Sequence, residues 1–184
     1  MNGGTTVGKT GAEATRTGRR HPSPLHTAAL SFRLIFFSEK ALYAVFLNNA
    51  HMFNLVCMFI VSLFIPYIGM DGKISPENAG NILEGLVLTM FFYGGLFLYM
   101  PKTVPVFLGF LRVMMAFEIM AVFLPLTFLV PSEYVKYFHP LYFAWYLSLV
   151  TYAYSRIRGY GYFRSGIVVV AVFLFISLIP ALFS

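Results

Sequence analysis

The residues best equipped for chemistry in this chain lie inside apolar runs, and Glu118 is the sharpest case. It stands near the middle of the run from Val104 to Val130, where an acidic side chain costs roughly 2.5 to 3.5 kcal/mol to place in a bilayer. Two uses of it are open. A protonated Glu118 can tie two helices together through a hydrogen bond, or the carboxyl can relay protons. Arg112 lies six residues earlier in the same run, which turns it about 120° away on an ideal helix, so periodicity alone does not pair the two. Its guanidinium is expected either to snorkel toward the headgroups or to find a buried partner. Glu84, early in the run from Ile82 to Met100, is the third intramembrane polar candidate. A polar path through Glu118, Arg112 and Glu84 would suit a small transporter or channel subunit.

Other patterns that suggest chemistry have plainer readings. Gly3-Gly4-Thr5-Thr6-Val7-Gly8-Lys9-Thr10 satisfies the phosphate-loop pattern. Such a loop needs a buried strand before it and a regular helix after it, and with only Met1 and Asn2 ahead of it here a chance match in a flexible tail is expected. His21 and His26 are separated by Pro22 and Pro24, which keeps a regular helix from bringing both rings to one face. His51 marks the start of the first apolar run. The lone Cys57 makes no disulfide within the chain and is expected to be a small buried hydrophobe. His139, Tyr142, Phe143 and Tyr146 recur at helical spacing beside Trp145. This aromatic face is expected to serve packing and an interfacial belt rather than a cofactor or quinone wall. His139 precedes Pro140 at the expected start of its helix and can stay solvated there. No catalytic, cofactor-binding or metal-ligating residues are expected, and no cofactor.

The elements that must carry these residues are membrane helices. Of 184 residues, 59% are hydrophobic and 11% charged, so the polar side chains are too few to cover a soluble surface. Five apolar runs, Met52–Met70, Ile82–Met100, Val104–Val130, Phe138–Tyr154 and Gly166–Phe183, each approach or exceed the roughly 20 residues that cross a hydrocarbon core. The expected fold is all-α, a polytopic membrane protein of about five transmembrane helices preceded by an N-terminal interfacial amphipathic helix. Short connections make successive helices antiparallel. Folding the hairpin about Glu133 then places Glu118 level with Tyr146 to Ser148, and Arg112 level with about Tyr154. Gly85 with Thr89, and Ser177 with Ala181, are small pairs able to seat neighbouring helices within one chain or between chains, and a homo-oligomer stays open.

Three regions follow. Residues 1–27, rich in Gly, Thr, Arg and Pro, read as a disordered cytoplasmic tail. The tail lacks the apolar core of a signal peptide, and an organelle transit peptide remains an alternative. Residues 28–51 read as an interfacial segment, bent where Ser38 caps a second short helix starting at Glu39, with Leu42, Tyr43, Val45 and Phe46 near the acyl boundary. An imperfect sixth span is the alternative there. Residues 52–184 form the five-helix domain. Arg33, Lys40, Lys102, Arg156, Arg158 and Arg164 fall on one side, against Lys73 and Lys136 on the other. This imbalance puts the first side, and the N-terminus, in the cytoplasm. The net charge of +6 therefore suits a membrane surface and not nucleic acid.

Phe36-Phe37-Ser38-Glu39-Lys40-Ala41-Leu42, and Trp145 through Arg158-Gly159-Tyr160 into an apolar last helix, resemble the bacterial branch of the Yip domain family, the Ypt-interacting proteins. The first stretch is similar to that family's cytoplasmic lead-in, the second to its closing unit of helix, basic loop and helix. The chain departs from the family in lacking a Pro at Ser38 and Glu39, and Tyr160-Gly161-Tyr162 stands in the last loop. The resemblance implies a non-enzymatic membrane protein that binds other membrane proteins, in a bacterial inner membrane. On this expectation the partners are the lipid bilayer and other membrane proteins, met by the interfacial segment and the cytoplasmic basic loop of Arg156, Arg158 and Arg164.

Overall fold

A computed structural model describes residues 22–67 and 78–178, with Asn78, Ala79 and Ser132 described by their backbone alone. The Gly3–Thr10 match, the tail up to His21 and Ala181 lie outside the described residues. Every regular element among the described residues is helical: α1 (Pro24–Ile35), α2 (Glu39–Leu47), α3 (Met52–Phe64), α4 (Asn78–Leu98), α5 (Val104–Phe117), α6 (Ser132–Arg158) and α7 (Tyr162–Ser177). Short 3-10 turns flank α3 at Asn49–His51 and Ile65–Tyr67, and a long 3-10 run, Glu118–Leu129, continues α5.

Three of these stretches are long and apolar enough to cross a membrane: Asn49–Tyr67, Gly80–Leu98 and Val104–Leu129. The last is the central one, because 56% of its most apolar window is buried inside the protein, against 22% and 17% for the others. Its 14 α-helical and 12 3-10 residues extend roughly 45 Å, beyond the roughly 30 Å of a hydrocarbon core. Phe110, Val113, Met114 and Phe117 of α5 meet Leu34, Leu42, Leu55, Leu96, Leu149 and Val169 from the surrounding helices in one core. α6 is longer than expected, starting at Ser132 instead of Phe138, so Pro140 sits inside the helix and not at its start. Gly159 ends α6 at φ 72°, a left-handed conformation that a glycine adopts without a Cβ clash.

The chain ahead of the first apolar run is better ordered than its composition suggests. α1 begins at Pro24, inside the stretch read as tail. Ser23 caps it by accepting from the His26 N–H at 3.2 Å, and Pro24 stands in its first turn. Polar side chains of the next segment pin this end: the Thr27 hydroxyl meets His51 Nδ1 at 2.9 Å, and Asn54 Nδ2 donates to Thr27 Oγ1 at 3.0 Å and to the Pro22 carbonyl at 2.9 Å. Such tertiary hydrogen bonds carry no hydrophobic period, so the sequence pattern does not reveal them.

Ser38 caps α2 as expected, accepting from the Ala41 N–H at 3.4 Å. The preceding turn holds Phe37 at φ 58°, which costs a non-glycine residue about 1–2 kcal/mol. The Phe37 ring lies edge-on to Tyr152 of α6 at 5.5 Å, a contact that offsets part of that strain. Leu42 and Val45 are fully buried and α2 packs on α5, so these side chains face the protein and not the acyl boundary. Cys57 differs in the opposite sense: it is exposed on the outward face of α3, because the inward stripe there is Leu55, Phe59 and Ser62.

Candidate functional site

Glu118 sits where α-helical hydrogen bonding stops. Its N–H bonds the Met115 carbonyl, three residues back, which leaves the Met114 carbonyl without its helical donor. The Tyr93 hydroxyl of α4 lies 3.5 Å from that Met114 oxygen and donates to Glu118 Oε1 at 2.5 Å. Tyr146 of α6 donates to the same Oε1 at 2.9 Å. The carboxyl thus joins α4, α5 and α6. The level predicted by the hairpin count, Glu118 beside Tyr146, is the level observed. Tyr93 was not singled out by sequence reasoning; a tyrosine hydroxyl in the interior of the run Ile82–Met100 was the available signal.

Glu118 also lines a cavity of about 400 Å³. Its walls come from α3, α4, the 3-10 run, α6 and α7, and include Ser62, Thr89, Phe92, Tyr142, Phe143, Tyr146 and Phe173. Three members of the aromatic face on α6, Tyr142, Phe143 and Tyr146, are therefore cavity wall. A smaller space of about 320 Å³ shares Pro66, Leu124, Tyr142 and Phe143 with the first and reaches His139. Pro66 and Pro125 stand in the two 3-10 segments that border these spaces. Each proline removes a backbone donor, and in 3-10 geometry side chains eclipse every third residue, so these segments fill the space between helices less evenly than α-helices do. Gly85 and Thr89, the small pair on α4, border the cavity, with Tyr67 Oη 3.6 Å from the position a Cβ on Gly85 would take.

Arg112 and Glu84 are not brought to Glu118. Arg112 is 3% exposed and does not snorkel. Its Nε donates to the Val45 carbonyl at 3.0 Å, and its two terminal nitrogens donate to the Phe46 carbonyl and to Asn49 Oδ1. The guanidinium thus caps the C-terminal end of α2, where unpaired carbonyls and the negative pole of the helix favour a cation. Of the two uses open to Arg112, the buried partner is the one observed, and that partner is backbone. Glu84 is exposed on α4 and is not among the cavity-lining residues.

The basic loop meets the lead-in. Arg156 pairs with Glu39 at 3.8 Å and lies 5.8 Å from the Tyr152 ring centroid. The nearby Glu39 carboxylate holds the Arg156 guanidinium above its ordinary pKa. Tyr152 stacks on Tyr162 of α7 at 6.3 Å, and Arg158 donates to the Tyr160 hydroxyl at 2.9 Å. Arg164 is exposed beside Phe163, which is 82% exposed. Among the described residues no group of three or more His, Cys, Asp or Glu side chains is placed to hold a metal ion. Compared with protein-family models, curated proteins and solved structures, the chain matches none.

Proposed function

We propose that this chain is an integral membrane protein of five spans, acting without catalysis, that binds a small molecule within the bilayer as a transporter or channel subunit does. One observation carries the reading: a cavity of about 400 Å³, within the size range of small-molecule sites, holds an intramembrane carboxyl that two tyrosines position. An intramembrane acid facing a cavity is a functional-site hypothesis by default. The five-span count adds α6 and α7 to the three long apolar stretches. α6 has 27 residues, about 40 Å of helix, and the 16 residues of α7 are followed in the sequence by further apolar residues. The imbalance of basic residues supports a cytoplasmic N-terminus, and the resemblance to bacterial Yip domains is what suggests a bacterial inner membrane.

The test is extraction of small molecules from protein purified in native-lipid nanodiscs, comparing wild type with Thr89→Trp, which fills the cavity from α4. A bound compound is expected in the wild type and should fall by about tenfold or more in the variant, the signature of at least about 1.4 kcal/mol of lost binding. Identical extracts from both proteins would sink the reading.

The second reading is a scaffold or accessory protein for other membrane proteins, in line with the resemblance to Yip domains. What favours it is the joined end of the molecule, where Glu39 pairs with Arg156 and Tyr162 stacks on Tyr152, with Phe163 and Arg164 exposed next in the sequence. Deleting residues 28–49 does not test it, because α1 and α2 belong to the core. Reversing charge with Arg156→Glu and Arg164→Glu does: co-purifying membrane proteins should be depleted while the detergent-solubilised protein keeps its monodispersity. Retention of every partner would remove the basic loop from the interface.

A further inference from the structure

We propose that the Glu118 cavity takes an organic monocation, an amphipathic amine whose ammonium group meets the carboxyl while its apolar body lies among the aromatic walls. The inference rests on the small-molecule reading above and names the ligand class. Charge comes first. Among the described lining residues Glu118 is the one acid, and no Lys, Arg or His stands with it. An anion entering this space meets a carboxyl and, among the described lining residues, no counter-charge. A neutral solute gains apolar contact, but the carboxyl beside it stays protonated and contributes no ionic attraction. An ammonium forms a neutral pair.

Geometry points the same way. Both tyrosine hydroxyls converge on Oε1, and among the described residues Oε2 accepts no hydrogen bond. That oxygen is open to a proton or to an N–H donor of a ligand, and the two exclude each other. Binding therefore exchanges one proton for one cation: the O–H bond of the neutral acid breaks, the proton leaves to solvent, and the ammonium takes its place beside the carboxylate. The walls suit the rest of the ligand. Phe92, Tyr142, Phe143, Tyr146 and Phe173 surround the cavity, and aromatic faces attract cations electrostatically while packing against hydrocarbon.

The experiment measures saturable binding of radiolabelled phenylbutylammonium to the full chain in nanodiscs, with its alcohol and carboxylate analogues, phenylbutanol and phenylbutyrate, as competitors. Empty nanodiscs correct for partition into lipid. The amine should bind at least about tenfold tighter than the alcohol, and the carboxylate should not compete. Glu118→Gln keeps an amide oxygen for both tyrosines and should fold, yet lose amine affinity by about tenfold or more. Acidification should weaken amine binding to the wild type as the proton reclaims Oε2. Equal binding of amine and alcohol, abolished by Thr89→Trp but indifferent to Glu118→Gln, would overturn the cation and leave the small-molecule reading intact. No binding of any probe, with a neutral compound retained by the wild type and lost from Thr89→Trp, would do the same. No binding of any probe and no retained compound would overturn both.

Discussion

Replacing Arg112 with alanine is expected to lower the thermal midpoint of the detergent-solubilised protein by on the order of 10 °C, or to prevent its accumulation as a folded monomer. The guanidinium gives three hydrogen bonds, to the Val45 and Phe46 carbonyls and to Asn49 Oδ1, from a site that is 3% exposed. Its removal leaves the carbonyl of buried Val45 and that of half-buried Phe46 without their side-chain donor, while Asn49 is exposed and can turn to water. An unsatisfied buried polar group costs about 1–3 kcal/mol, so the two carbonyls together account for on the order of 2–6 kcal/mol. For a chain of this size, about 1 kcal/mol shifts the midpoint by roughly 2–4 °C. Arg112→Lys should recover only part of the loss, because an ammonium on a flexible stem does not present the planar fork that reaches three acceptors at once. Thermal unfolding followed by size-exclusion chromatography reads both variants. A midpoint for Arg112→Ala within 2 °C or so of wild type would show that α2 is held by other contacts.

Arg112 also marks where sequence reasoning reached its limit. The hairpin count looks forward along the chain, to the next helix, and it works where the partner is there: Glu118 and Tyr146 meet across the short Val130–Pro131 connection. The partners of Arg112 lie 63 to 67 residues back, on a helix that hydropathy assigns to the membrane surface. Tyr154, the residue expected level with Arg112, instead donates to the Tyr99 carbonyl at 3.3 Å. Tyr93 escaped for a related reason, since no count along one hairpin says which face of α4 meets α5. Helical spacing did place Tyr142, Phe143 and Tyr146 on one face of α6. What that face looks onto depends on how Pro66 and Pro125 reshape two other segments, and side-chain periodicity carries no trace of it. Ser38 was legible because a cap is decided within four residues, and the end of α6 at Gly159 follows the same local logic.

Gly109 supplies the other half of the α2 attachment, and Gly109→Val is expected to destabilise nearly as much as the loss of Arg112. A Cβ at this position would fall 2.6 Å from Cε2 of Phe46, 2.7 Å from its Cδ2 and 2.9 Å from its carbonyl oxygen. The ring can rotate away, but the carbonyl cannot without moving α2. That same oxygen accepts from Arg112. Overpacking at such a site costs about 1–3 kcal/mol, and more when backbone must shift. Phe46→Ala should therefore rescue Gly109→Val only in part, because it removes the ring atoms and leaves the oxygen. A second consequence separates this account from simple steric damage. Once a side chain at 109 has lifted α2 from α5, the Arg112 bonds are already weakened, so Gly109→Val and Arg112→Ala together should cost clearly less than the sum of the two alone. The double-mutant cycle can be read from thermal midpoints in one detergent. Strict additivity would mean that glycine and guanidinium hold α2 independently, and the joint role argued for them would be wrong.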